Sequence, residues 1–150
     1  TLAIIEGLLV DVGDERFVIP LSMVEECLEL TSNRYALSDD RDVIQVRGEP
    51  VPFIRLRDAL IIPGAKPTLE ETVVVNVNET RFGIVVDKVV GQHQTVIKSL
   101  GNTYKDVEAV SGATILGDGK VALIIDLMGL LDIAQKNDKT QSILLNSHAA

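Results

Sequence analysis

The sequence predicts an all-β chain of two small β-barrel modules in tandem, on three observations. Leu8 to Glu26 (LLVDVGDERFVIPLSMVEE) lies over Val73 to Gly91 (VVVNVNETRFGIVVDKVVG) at an offset of 65, with Arg16-Phe17 on Arg81-Phe82 and Ile19 on Ile84. Gly48 to Leu60 (GEPVPFIRLRDAL) lies over Gly119 to Leu131 (GKVALIIDLMGLL) at an offset of 71, in the same order along the chain. Such a repeat is too long for a solenoid unit and long enough for a small barrel. The composition agrees: 46% of residues are apolar but only 3% aromatic, with no Trp, so Val, Ile and Leu must fill the interior.

Each module opens with a hairpin. Glu6 to Val12 and Arg16 to Ile19 read as strands around a Gly13-Asp14 turn, matched by Thr72 to Val77 and Arg81 to Val86 around Asn78-Glu79. After Pro20 one helical turn capped by Ser22 is expected, then a strand from Cys27 to Leu30, with Asp87 to Val90 and Gln94 to Ile97 as counterparts. The polar run Thr31 to Asp42 reads as a loop. Val43 to Val46 and Val51 to Leu56 form a second hairpin across Arg47-Gly48-Glu49, and Thr114 to Leu116 and Val121 to Asp126 its partner across Gly117-Asp118-Gly119. Gly13, Gly48, Gly117 and Gly119 are expected to serve turn geometry. Pro50 and Pro52 cannot donate to a ladder, so theirs is expected to be an edge or bulged strand, presenting Val51 and Phe53 on a common solvent-facing side. Asp58 to Ile62 and Asp126 to Ala134 close the modules as helical turns, and Pro63-Gly64-Ala65-Lys66-Pro67 marks the boundary. The expected division is residues 1–67, residues 68–135, and a mobile polar tail at 136–150 with a short Ile143-Leu144-Leu145 patch.

The formal charge of −8 argues against binding nucleic acid or anionic membranes, which need clustered Lys and Arg. A lone Cys27 forms no internal disulfide, and no apolar run approaches the roughly 18 residues of a membrane span, so a cytoplasmic protein is expected. The chain opens on Thr1 and enters a strand-like pattern within a few residues, which suggests an excised part of a longer polypeptide.

Catalytic chemistry finds little support. His93 lies in a polar stretch and His148 in the tail. Cys27 with His93 would make a nucleophile and base, but Cys27 sits in an apolar strand pattern, where a buried, unreactive thiol is the commoner outcome. Gly112 to Lys120 (GATILGDGK) fails the phosphate-loop pattern because Gly117 is followed by Asp118, and Lys120 by Val121. Glu25-Glu26 and Asp39-Asp40 with Asp42 lack the alternating ligands of a calcium loop, and one Cys with two His makes no zinc site. No cofactor, metal or catalytic residue is expected; a binding module is.

TLAIIEGLLVDVGDERFVIPLSMVEE, RDVIQVRGEPVPFIRL, VVGQHQTVIKSLG and VSGATILGDGKVALIIDLMGL together resemble the C-terminal regulatory domain of the bacterial chemotaxis histidine kinase CheA, over about residues 1–134. That domain is similar to the adaptor CheW. The resemblance implies two five-stranded SH3-like barrels around a shared apolar seam, and a non-catalytic role. It implies partners as well: the CheW adaptor and the cytoplasmic tip of chemoreceptors, within membrane receptor arrays. A free-standing CheW is the nearest alternative, and an unrecognised cysteine enzyme a remote one. Carried over, the resemblance selects Val43, Ile44, Val46, Val51 and Phe53 as adaptor-binding, with Leu60 and Ile62 at the rim. Ile44 and Val46 share one face of their strand while Val43 takes the other, and only one of those faces can be interface. Should this edge not dock, Val121 to Ile125 of the second module is the next candidate.

Overall fold

The computed structural model describes residues 3–30, 35–38, 41–65, 67–99, 109–133 and 135. The first hairpin is β1 (Ala3–Val12) and β2 (Glu15–Pro20); a 3-10 turn, Leu21–Met23, leads to β3 (Val24–Leu30). Then come β4 (Tyr35–Ser38), β5 (Arg41–Val46), β6 (Glu49–Arg55) and the one-turn helix α1 (Leu56–Ala59). The second half holds β7 (Glu70–Val77), β8 (Thr80–Val86), β9 (Lys88–Ser99), β10 (Val110–Ile115) and β11 (Val121–Ile125), followed by helical residues 127–133. The all-β class read from the sequence is the observed one.

Each sheet takes its opening hairpin from the other repeat. β1, β2, β11, β10 and β9 close a barrel, and the second sheet runs β3-β7-β8-β6-β5-β4. The expectation of modules each built from one contiguous stretch is corrected accordingly: a cut near residue 67 separates the sequence repeats but not the sheets. After β2 the chain passes through the 3-10 turn, and β3 pairs with β7 (Cys27 against Val73) instead of with its own hairpin, as β9 pairs with β1. Because the two hairpins are near-copies, sequence similarity cannot tell pairing within a repeat from pairing across repeats.

The ladders keep the repeat in register. Cys27 against Val73 becomes, at the offset of 65, Gln92 against Leu8, which is the observed β9–β1 pairing. The bulge that leaves out Glu25 on β3 recurs at Val90 on β9. Likewise the parallel pair Phe53–Gly83 of β6 and β8 returns as Ile124–Val18 of β11 and β2. The second sheet has six strands because β3 and β4, separated by residues 31–34, together occupy the place of the unbroken β9. β4 also corrects the reading of Thr31 to Asp42 as loop throughout.

Strand alternation sorts the apolar residues into three clusters. Leu8, Val10 and Val12 of β1 with Phe17 and Ile19 of β2 meet Val73, Val75 and Val77 of β7 with Phe82 and Ile84 of β8 in a seam shared by the sheets. The opposite strand faces line the barrel with Leu9, Val18, Ala122 and Ile124, and the second sheet with Ile44, Val46, Val51, Phe53, Val74 and Val85. Arg57 of α1 is buried beside the seam and donates to Asp87 Oδ2 at 2.6 Å, Pro63 O at 2.9 Å and Gly64 O at 3.2 Å. The same carboxylate oxygen accepts from Gly13 N at 2.8 Å. One ion pair thus ties the β1–β2 turn, the β8–β9 corner and the connection after α1.

Smaller readings also shift. Ser22 makes no side-chain cap, α1 begins two residues before Asp58, and the tail at 136–150 lies outside the described residues. Gly13, Gly48 and Gly119 take positive φ; Gly117 does not, and open space surrounds it, so that turn has no need of a glycine there. Arg47 and Gly48, both at positive φ, form a two-residue hairpin turn without Glu49.

Ile61 follows α1 at φ 54, between Leu60 N donating to Leu56 O and Ile62 N donating to Arg57 O. This is the left-handed helix-end position usually given to Gly or Asn. A β-branched residue is strained there, and at 88% exposure Ile61 recovers little by burial. Ile61→Asn should therefore stabilise the fold by about 1 kcal/mol, a rise of roughly 2–4 °C in Tm; an unchanged or lower Tm would refute the strain. Asp87→Ala leaves a buried guanidinium without its carboxylate and should cost about 3 kcal/mol in a urea melt, whereas a loss under about 1 kcal/mol would mean a surface-grade pair.

Candidate docking surface

The residues selected from sequence for docking are core. Val43, Ile44, Val46, Val51 and Phe53 are all buried, Ile44 completely, while Leu60 and Ile62 are partly buried against the seam. The solvent-facing apolar edge expected at Pro50 and Pro52 is corrected: β6 pairs with β5 through Glu49–Pro52 and with β8 through Phe53–Arg55. The strand changes partners just past the prolines. Each proline therefore has one ladder neighbour, which is how a strand without those donors lies inside a sheet. Their rings are exposed, and Val51 and Phe53 alternate inward.

Four exposed apolar residues lie on the outside of the barrel. Ile115 and Val121 face each other across the β10–β11 hairpin at 74% and 54% exposure, and Ile4 and Val96 across β1–β9 at 68% and 46%. The β9–β10 ladder pairs Gly112 with Ser99 and Ala113 with Lys98, so Ile115 and Val96 lie just beyond it on neighbouring strands. The row they make spans the adjoining strands β1, β9, β10 and β11. Their neighbours in sequence, Ala122 among them, point into the barrel, which fixes the row as outward-facing.

The repeat supplies an internal control for this row. Thr114 against Ala122 corresponds to Ile44 against Val51, so the pair Ile115–Val121 corresponds to Gln45–Pro50. Those two are exposed as well, but Gln45 is polar and Pro50 a compact ring in place of two branched aliphatic side chains. The hairpin fold therefore does not require exposed branched aliphatics at these positions, and the barrel carries them without a structural need. Beside the row, Glu6 pairs with Gln94, and Glu6, Leu21, Gln92, His93 and Gln94 line a shallow polar cleft.

The other candidates resolve simply. Glu25 accepts from Arg81 Nε and Asn76 Nδ2, and Glu26 lies 3.4 Å from Arg47, so both glutamates are partners in ion pairs. Asp39, Asp40 and His148 lie outside the described residues, among which no group of His, Cys, Asp and Glu is arranged to hold a metal. Cys27 and His93 sit on different sheets. Cys27 is exposed on β3, not buried as its pattern suggested. Even so, partial desolvation of the sulfur raises the thiol pKa, and the negative charges of Glu71 and Glu26 raise it further.

A CheW-like domain model matches residues 6–135. The chain belongs to the CheW-like domain family. It is 39% identical over 133 residues to chemotaxis protein CheA of Klebsiella aerogenes and 40% identical over 133 residues to that of Bacillus subtilis, each alignment covering 87% of this chain and 20% of the relative. To sensor histidine kinase CheAY of Helicobacter pylori it is 34% identical over 148 residues, covering 97% of this chain and 18% of that protein. The chain thus spans about a fifth of these relatives, matching their CheW-like part alone, and the match assigns it no catalytic role. Scaffolding protein TtCheW of Thermoanaerobacter tengcongensis has the same fold, with a TM-score of 0.68 at 18% identity over 83% of this chain and 90% of that one.

The raised thiol pKa has a kinetic consequence. At pH 7 Cys27 stays protonated, so maleimide or disulfide-exchange labelling should be slower than that of a free cysteine and should accelerate only as pH passes the usual thiol range. Stoichiometric labelling within seconds at neutral pH, without unfolding, would instead revive a reactive-cysteine role.

Proposed function

We propose that this chain is the regulatory and scaffolding domain of a chemotaxis histidine kinase, that it binds a CheW-type adaptor through the outer face of the barrel, and that it couples receptor state to kinase output. The apolar row carries the reading. Ile4 and Val96 are paired and exposed on β1 and β9, and Ile115 and Val121 on the adjoining β10 and β11, on a chain of net charge −8, and exposed aliphatics so placed suit an interaction surface. The kinase names of the relatives support the cellular setting, a cytoplasmic domain held at receptor arrays. The polar cleft beside the row offers carboxamide, imidazole and carboxylate groups to a receptor tip. No helix among the described residues is long and apolar enough to cross a membrane, so attachment to an array would run through partners. The likeness to a scaffolding CheW over 90% of that chain favours a second reading, a free-standing adaptor, which would use the same face to bind a kinase.

Ile115→Glu and Val121→Glu, made singly, should leave the circular dichroism melt nearly unchanged. Each should weaken adaptor binding by at least tenfold in calorimetric titration, since a hot-spot loss of about 2 kcal/mol is roughly thirtyfold. Ile44→Glu, by contrast, puts a charge at a fully buried position and should unfold the second sheet. Parental affinity in both hairpin variants would remove the barrel face as the docking surface.

A further inference from the structure

The hairpin that carries Ile115 and Val121 is held by a side chain outside it. Arg16 of β2 donates through Nε to Asp11 Oδ1 at 3.0 Å and through Nη1 to Asp118 Oδ2 at 3.5 Å. Asp11 is its cross-strand partner on β1, and Ala122, next to Val121, is its neighbour in the parallel β2–β11 pairing. Asp118 faces both ways: its Oδ1 accepts from Lys120 N at 3.0 Å inside the turn, while Oδ2 meets Arg16. The turn is closed by Leu116 N donating to Lys120 O and Gly119 N to Leu116 O. We propose that Arg16 is the positioning residue of the docking surface, fixing the β10–β11 hairpin so that Ile115 and Val121 are presented in one orientation, an inference that rests on the docking reading above.

The repeat again supplies the control. Arg81 is the twin of Arg16 and bridges Glu25 Oε2 and Glu49 Oε2, both at 3.0 Å, against the hairpin whose exposed pair is Gln45–Pro50. An arginine at the same repeat position thus bridges each hairpin, through different carboxylates, and only Arg16 stands behind the Ile115–Val121 pair. Exposed ion pairs contribute little to stability, but holding a loop in its bound geometry lowers the ordering cost of association.

The test is calorimetric titration of the whole chain with a purified CheW-type adaptor. Arg16→Ala and Asp118→Asn should each weaken binding about fivefold, and the double variant should be no weaker than either single one, the signature of a shared interaction. Asp118→Asn keeps an oxygen for Lys120 N, so it isolates the bridge from the turn and carries the test if Arg16→Ala does not fold. The melts should stay within about 2 °C of the parent, raised salt should narrow the gap, and Arg81→Ala should bind like the parent. Parental affinity in Asp118→Asn, or independent addition of the two losses, overturns the positioning role while the docking face stands if Ile115→Glu still abolishes binding. Parental binding by both Ile115→Glu and Val121→Glu overturns the docking reading itself.

Discussion

The shared seam is the constraint on which the rest of this structure depends. Both hairpins are apolar on two faces: one turns to the opposite hairpin, the other to the interior of its sheet. Neither hairpin can bury both faces within its own repeat while its own β3 or β9 pairs elsewhere, so each sheet is completed by the other half of the chain. With roughly 1.5–3 kcal/mol for each buried Val, Leu, Ile or Phe, the seam couples the sheets thermodynamically. A partner docked on one sheet therefore acts on a unit that includes the other.

Duplication makes the asymmetries informative. Where Arg57 reaches Asp87 and the Gly13 turn on one side, the corresponding Met128 and Asn78 make only a 3.5 Å amide–sulfur contact on the other. Among the described residues, one crossing of the chain between sheets is locked by charge and its twin is not. The same logic distinguishes Ile115–Val121 from Gln45–Pro50: when two positions share a fold role and differ in chemistry, the difference answers to something outside the fold.

The sequence carried the architecture well and the site poorly. Offsets of 65 and 71 exposed the duplication, and alternation in Leu8 to Val12 and Val73 to Val77 exposed the strands. Hairpin exchange was hidden because near-identical hairpins offer identical partners. The docking error has a specific cause. Pro50 and Pro52 imply a strand with missing donors, but a strand can meet that condition by changing neighbours along its length, as β6 does between β5 and β8. Facing was equally undetermined for Val51 and Phe53, which could turn outward or inward until the β5 register was known. The signal that could have found the row was present in the repeat, in aliphatic Ile115 and Val121 opposite the shifted Gln45 and Pro50, but the one extra residue in the β10–β11 turn concealed it from a fixed-offset comparison.

The central claim is that partners meet the barrel's outer face and not the β5–β6 hairpin. Backbone hydrogen–deuterium exchange of the whole chain, with and without a saturating CheW-type adaptor, tests it most directly. The account predicts new protection concentrated in residues 115–121 and in the facing segments of β1 and β9, with residues 43–53 unchanged. New protection confined to residues 43–53, with 115–121 exchanging as in the free chain, would contradict it.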